Sequence, residues 1–382
     1  MKRDLFEYDH DAFRDSVRQF IAKEVVPSLP DWEAAGRVPR ELFAKTAEIG
    51  INGLQVPEEY GGGGIESFLF NAIVIEEIGY AAATLGGLQV HLSTVLPYFF
   101  EYANDEQKSR WFPGFADGSL VSSVAMTEPG TGSDLAGMAT TAVRDGDDWV
   151  LNGAKTFITG GINADLVIVV ARTSNDVNNR RDGLSLLVVE EGMEGFTRGR
   201  NLDKLGLKAQ DTAELSFDDV RVPAENLLGK EGDGFSMLLN NLPQERLTIA
   251  VTAQATAAAA LKLATDYVKD RKVFGKSVAE FQNTKFVLAE CATELEASQA
   301  LVDRALAELD AGILSAADAA KVKLFSTEMQ ARVIDRCLQL HGGYGFMREY
   351  PIARLYADAR VTRIFGGTSE VMKSVVSKSL GL

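Results

Sequence analysis

Residues 125–137 read AMTEPGTGSDLAG, the densest group of side chains and flexible backbone in this chain that could hold a ligand. Pro129 fixes a turn, Gly130 and Gly132 let the main chain approach a bound molecule, and Met126, Thr127 and Ser133 bring amide and hydroxyl groups suited to a flat heterocycle and a phosphate. Taken alone, the segment is compatible with a plain polar turn as well as with a binding loop. Other strings that invite a chemical reading fail on spacing. FGKS at 274–277 is not a phosphate loop, because such a loop needs a glycine where Asp270 stands. No GxGxxG occurs. Cys291 and Cys337, with His10, His91 and His341, show no metal-ligand spacing, so no metal site is expected.

The elements that must position these residues fall into three zones, 1–120, 121–228 and 229–382. In the first, Phe13, Val17, Phe20, Ile21 and Val25 recur at helical spacing, and similar patterns follow over 42–49 and 68–80. GGGG at 61–64 reads as a loop. The second zone has short β-branched segments between turn signals at 145–146, 152–153 and 160–161, which predicts an antiparallel sheet or barrel. Strands are expected only there, and without interleaved helices a parallel βαβ layout is not expected. In the third zone Leu288, Cys291, Leu295, Ser298, Val302, Ala305 and Leu309 mark one long helix. Ser315 with Asp318 opens another, whose stripe is Val322, Phe325, Met329, Val333, Cys337 and Leu340 and which Gly342 and Gly343 stop. The fold expected is mainly α with a central antiparallel β domain.

Charge narrows the partners. Lys plus Arg number 39 against 54 Asp plus Glu, a net charge of -15, so a generic nucleic-acid or membrane-surface role is not expected. The opening MKRDLFEYDHDAF has no apolar targeting core, and the apolar stretch 68–100 is broken by Glu76, Glu77 and His91. The expectation is a cytoplasmic protein.

Read in order, MTEPGTGSD at 126–134, NGAKTFITGG at 152–161, DDVRVPAENLLG at 218–229, RKVFG at 271–275, QLHGGYGF at 339–346 and RIFGGTSE at 363–370 resemble the signature segments of the acyl-CoA dehydrogenase family. With the N-terminal helices, the resemblance covers essentially the whole chain. It implies a helical N-terminal domain, a β-barrel and a C-terminal helix bundle, with FAD as cofactor and an acyl-CoA as substrate. It further implies electron-transfer flavoprotein as acceptor and a homotetramer built as a dimer of dimers. LPQERL, LGLKAQDTAEL and YPIARLYADARV most resemble the long-chain branch, pointing to medium or long acyl chains in fatty-acid β-oxidation.

The same resemblance distributes roles. Met126 and Thr127 would contact the flavin, Ser133 would lie near the pyrophosphate and the acyl-CoA, and Phe157, Ile158 and Thr159 would pack against and hydrogen-bond the isoalloxazine. Phe157 stands where many members carry tryptophan. Arg271, Phe274, Gln282, Gln339, Gly342 and Gly343 would serve the dinucleotide of a neighbouring subunit, and Thr368 and Glu370 would complete the adenosine-diphosphate region. Arg246 would be a substrate-side cation near CoA or a structural pairing, and Gly367 would let the backbone approach the cofactor or CoA.

Desaturating a thioester requires a carboxylate for the α-proton, a hydride acceptor for the β-hydrogen, and donors to the thioester oxygen as enolate character develops. Many members carry the glutamate directly before the late Gly-Thr; here that position is Gly366. A second family arrangement puts it in a segment like LPQERL, which assigns the base to Glu245. The Gly366 main-chain N–H and a flavin ribityl hydroxyl are then the expected oxyanion donors. Pro243, inside that helix, removes one N–H and crowds the preceding turn beside Glu245. Alternatives on the same fold are a short branched-chain or acyl-carrier-protein dehydrogenase, a flavin oxidase or monooxygenase, and a non-catalytic subunit.

Overall fold

The structure is a computed structural model that describes residues 2–174 and 181–382. It opens with helices α1 (Tyr8–Phe20), α2 (Leu29–Ala35), α3 (Glu41–Glu48), α4 (Leu69–Tyr80), α5 (Gly87–Val90), α6 (Leu96–Tyr102) and α7 (Asp105–Asp117). A π-helical turn, Ile21–Val25, carries the buried stripe of α1 onward, so Val17, Phe20, Ile21 and Val25 all enter the core. Helix α4 is buried on almost every side, including Glu76 and Glu77. Charges so placed need partners, and Arg3, Arg14 and Arg18 supply them at 2.6 Å, 2.9 Å and 2.9 Å.

The strands are β1 (Ser122–Ala125), β2 (Thr141–Asp145), β3 (Asp148–Thr159), β4 (Leu166–Arg172), β5 (Leu184–Glu190), β6 (Phe196–Asn201), β7 (Thr212–Pro223) and β8 (Leu227–Leu228). Their hydrogen-bonded path is β6-β7-β3-β2-β4-β5-β8, with β1 beside β4. The β3–β7 half and the β4–β5 half share one core, containing Leu151, Leu215, Val169 and Leu187. Three expectations need correction. The sheet is not wholly antiparallel, because β1 runs parallel to β4, Ser122 opposite Leu166. Asn152-Gly153 is not a turn; it sits inside β3 at a register shift between Leu151 and Gly153, a bulge that long strand pairs accommodate. Strands also occur outside this zone, as a hairpin of β9 (Lys272–Val273) and β10 (Lys276–Ser277).

The rest is helical: α8 (Gly234–Asp270), α9 (Gln282–Asp310), α10 (Ala316–His341), α11 (Pro351–Ala359) and α12 (Ser369–Ser379). The expected stripe of α9 is buried at Cys291, Leu295, Ser298, Val302 and Ala305. In α10, Phe325 departs from its stripe and is 40% exposed, while Lys323 is buried instead. Ser315 caps α10 by accepting the Asp318 N–H at 3.0 Å.

Helix α8 is the spine, packed against α4, α9 and α10. Its alanines make that possible: a Cβ on Gly79 of α4 would come within 2.5 Å of the Ala255 Cβ. Small residues let helix backbones approach that closely. By length and composition α8 could cross a membrane, but 67% of its apolar window is buried inside the protein, as expected of a core helix.

Candidate active site

Strand β1 delivers Met126 and Thr127 directly from its end, and β3 delivers Phe157, Ile158 and Thr159 beside them; the Thr156 N–H donates to the Thr127 carbonyl at 2.9 Å. In an unbroken strand residues 155 and 157 would share a face. A register shift between Lys155 and Ile158 separates them. Lys155 turns inward at 1% exposure, whereas Phe157, with φ of 60°, stands out at 68%. The exposed ring and the neighbouring threonines thus form a ledge at the C-terminal end of β3. The Ile158 side chain lies in the β core, so only its main chain can serve a ligand. The Thr159 hydroxyl accepts from Gln210 Nε2 at 3.3 Å.

The loop after Thr127 is closed by a side chain that sequence reading assigned no role. Glu128, at one end, accepts the N–H groups of Ala139 at 2.7 Å and Thr140 at 3.0 Å, at the other. Lys155 clamps the same loop from β3, donating to Glu128 at 2.8 Å and to the Met126 carbonyl at 3.0 Å. Burial opposes the charge on both groups, but Lys155 and two N–H donors hold the Glu128 carboxyl at about 2. Burial pulls the Lys155 ammonium down to about 8. The pair is therefore ionised at neutral pH. Ser133 is exposed at the loop's tip.

A second group gathers at the far end of α8. Arg271, Gln339, Gly342 and Gly343 line one cavity of about 510 Å3 with Tyr267 and Tyr344. The Arg271 guanidinium lies 5.6 Å from the centre of the Tyr344 ring, and the residue is exposed. Phe274, in the β9–β10 turn, is 94% exposed, and Gln282 is exposed at the start of α9. Neither lines that cavity. Among the described residues no hydrogen bond or ion pair joins this group to the ledge on β3. Thr368 caps α12, accepting the Val371 N–H at 3.3 Å, with Glu370 exposed in the first turn. Residues 130, 132 and 343 bear on cofactor fit: a Cβ at any of them would meet no protein atom within 4 Å. Glycine there leaves open surface instead of easing internal packing. The exposed Phe157 ring suits a flat ring system and the cavity beside Arg271 suits a phosphate, the two parts that a flavin dinucleotide carries.

The third group surrounds Glu245 in the first half of α8. The turn between α11 and α12 brings Gly366 to it: a Cβ at Gly366, whose φ is 62°, would stand 3.5 Å from Glu245 Oε1. The two positions that family resemblance offered for the base therefore converge on one point. Glu245 is half-buried as a residue, but Oε2 is inaccessible and has no partner among the described residues. Burial raises its pKa above the ordinary carboxylate range, against the lowering influence of Arg246 and Lys323. Nearby, Tyr98 Oη, Arg246 Nε and Thr248 Oγ1 are likewise buried and unpartnered among the described residues. Buried polar atoms are rarely left so, and their clustering around a carboxylate marks a place where a polar ligand is received. Arg246 is 5% exposed, and burial lowers its pKa.

Sequence reading missed Glu128, Lys155, Tyr98 and Lys323. The only available signal was indirect: a lysine beside the apolar stripe of α10 and another inside a strand, each a residue type that is rarely buried without a partner.

Comparison with known proteins agrees with this arrangement. Profiles of the acyl-CoA dehydrogenase N-terminal, middle and C-terminal domains match residues 7–119, 123–220 and 232–381. The chain belongs to the acyl-CoA dehydrogenase family. It is similar to the long-chain specific acyl-CoA dehydrogenase of Sus scrofa mitochondria, 46% identical over 378 residues, which are 99% of this chain and 88% of that one. Among solved structures, it resembles an acyl-CoA dehydrogenase from Geobacillus kaustophilus, with a TM-score of 0.98, 46% identity and complete coverage of both chains. It also resembles a glutaryl-CoA dehydrogenase from Mycobacterium smegmatis in complex with FADH2, with a TM-score of 0.90, 30% identity, and coverage of 98% of this chain and 95% of that one. The protein is an oxidoreductase acting on CH–CH bonds, a flavoprotein acyl-CoA dehydrogenase of fatty-acid metabolism.

Proposed function

We propose that the chain converts medium to long acyl-CoA thioesters to trans-2-enoyl-CoA in fatty-acid β-oxidation, using FAD and passing electrons to electron-transfer flavoprotein. The observation that carries the reading is the convergence of Glu245 and Gly366, 3.5 Å from carboxylate oxygen to the missing Cβ. A carboxylate there meets the same substrate atom whether it hangs from α8 or from the late turn. The identity to a long-chain relative supports the chain-length preference.

In this reading FAD, when bound, would supply the acceptor for the β-hydrogen and its electron pair. Everything else falls to the chain. Glu245 takes the α-proton, and the electron pair left behind becomes part of the new double bond. The Gly366 N–H donates to the thioester oxygen as negative charge develops there. Met126, Thr127, Phe157 and Thr159 hold the flavin. Arg271, Gln339, Gly342 and Gly343 receive the dinucleotide of a neighbouring subunit, in a dimer of dimers. The rings of Phe274 and Phe346, exposed at 94% and 84%, are apolar surface on the two segments that carry this group, and a partner copy there would cover it.

Anaerobic addition of straight and branched acyl-CoAs from four to eighteen carbons to the purified holoenzyme tests the substrate. Bleaching should be fastest with medium to long straight chains, and an optimum at five-carbon branched substrates overturns that preference. Glu245→Gln should keep yellow FAD and bind acyl-CoA without bleaching; normal bleaching removes Glu245 as the base.

A further inference from the structure

Lys323 is 1% exposed, in the first third of α10 and away from any surface role. A buried ammonium must place its three hydrogens on acceptors or give up its charge. Lys323 donates to the Phe365 carbonyl at 2.6 Å and to the Gly367 carbonyl. These are the two carbonyls flanking Gly366, the residue whose amide faces the chemistry in the reading above.

Peptide geometry makes that attachment directional. A trans peptide points its C=O and N–H in opposite directions, and the chain has no cis peptide among the described residues. Fixing the Phe365 carbonyl on Lys323 therefore turns the Gly366 N–H of the same peptide away from the lysine. Among the described residues that N–H has no hydrogen-bond partner. It is a free donor held at a fixed angle, on a glycine whose φ of 62° is supported by the two anchored carbonyls. A cation on the carbonyl also polarises the amide, which strengthens its N–H as a donor.

We propose that Lys323 is a positioning residue for dehydrogenation, aiming and polarising the Gly366 N–H for the thioester oxygen while its charge favours the ionised form of the neighbouring Glu245. The proposal rests on the assignment of Glu245 and Gly366 made above. Lysine suits both tasks because one ammonium can hold two carbonyls and still act as a point charge. Neutral residues of similar length can do at most the first.

Lys323→Met and Lys323→Gln, purified with FAD, test this by kinetics and by infrared spectroscopy of bound enoyl-CoA labelled with 13C at the thioester carbonyl. Both variants should bind enoyl-CoA within about threefold of the parent. Their kcat for flavin bleaching should fall by roughly 10²-fold, the scale of losing one oxyanion donor, with KM little changed. The carbonyl band, lowered in frequency in the parent, should return toward its position in water. Parent-like kcat and an unmoved band in Lys323→Met overturn the proposal. If neither variant folds, the parent carries the test. Burial brings the Lys323 ammonium to about 8, and the charged groups facing it are Glu245 and Arg246 of α8. The carbonyl shift should fade as pH rises through that value, and a constant shift from pH 7 to 10 overturns the proposal. Glu245→Gln separates the two claims: it should abolish bleaching while keeping the carbonyl shift, whereas normal bleaching in it would defeat the underlying assignment whatever Lys323 does.

Discussion

Glu245 Oε1 lies 3.5 Å from the place a Cβ on Gly366 would take, although 121 positions separate the two residues in the chain. The helix spine and the late turn meet at one point. A base supplied from either side reaches the same volume, and a side chain on both would overfill it.

The first prediction follows from that crowding. Gly366→Ala places a methyl against Ile249 Cδ1 and beside Glu245, in a backbone conformation that costs a non-glycine residue about 1–2 kcal/mol. The variant should fold and retain FAD, but its bleaching rate should drop at least tenfold because the methyl occupies space the substrate α-carbon needs. Unchanged single-turnover kinetics would show that Gly366 does not border the reacting atoms.

The pH profile gives a second. Glu245 must be ionised to accept a proton, and burial raises its pKa above the usual value of 4.5. The bleaching rate with saturating acyl-CoA should therefore rise with pH, with its acid midpoint above that value, and turn down as Lys323 loses its charge near about 8. Anaerobic stopped-flow measurements from pH 5 to 10 check this; an acid midpoint at or below the ordinary carboxylate value contradicts the burial of the base.

Glu128→Gln supplies a third. It leaves Lys155, whose side chain is 0% exposed, without its counter-charge, and breaking a buried pair in this way costs about 3–5 kcal/mol. Urea unfolding should show a loss of that order, and the loop that carries Met126 and Thr127 should hold FAD more weakly. The sign of the pH dependence is fixed: Glu128 has a folded-state pKa of about 2, below its unfolded value, so its contribution is complete above about 4.5 and disappears as pH falls through about 2. A loss under about 1 kcal/mol at pH 7 would mean the pair is not what closes the loop.

A fourth concerns the cavity at the far end of α8. Arg271→Glu replaces the cation there with an anion, facing Gly342 and Gly343, and should yield protein that loses FAD on gel filtration, more so than Arg271→Ala. Equal FAD occupancy in both variants and the parent would exclude Arg271 from pyrophosphate binding.

Much of this molecule was legible in its sequence because the relevant physics is local. Helical spacing in α1, α9 and α10 follows from which face must be buried; Ser315 and Gly342 mark helix ends through backbone hydrogen bonding and positive φ; and turn residues separate most of the strands. Resemblance then ordered the ligand-facing segments, and the absence of a carboxylate at 366 directed attention to Glu245. Local signals failed where pairing decided the outcome. Asn152-Gly153 has the composition of a turn, but β3 continues through it because β7 is present to pair on both sides. Nothing within β1 reveals that its neighbour β4 runs parallel.

Only the tertiary structure determined which distant groups share a site. A lysine's sequence surroundings do not reveal whether its ammonium reaches water or a pair of carbonyls 42 and 44 residues away. The same holds for Lys155 under the 126–140 loop, and for the meeting of Glu245 with Gly366. The sequence by itself determined most of the elements and the family, and it singled out Glu245 as the candidate acid; the packing of α8 against α10 and the late turn decided the surroundings of Glu245, because burial and electrostatics depend on distances through space and the chain order does not encode them.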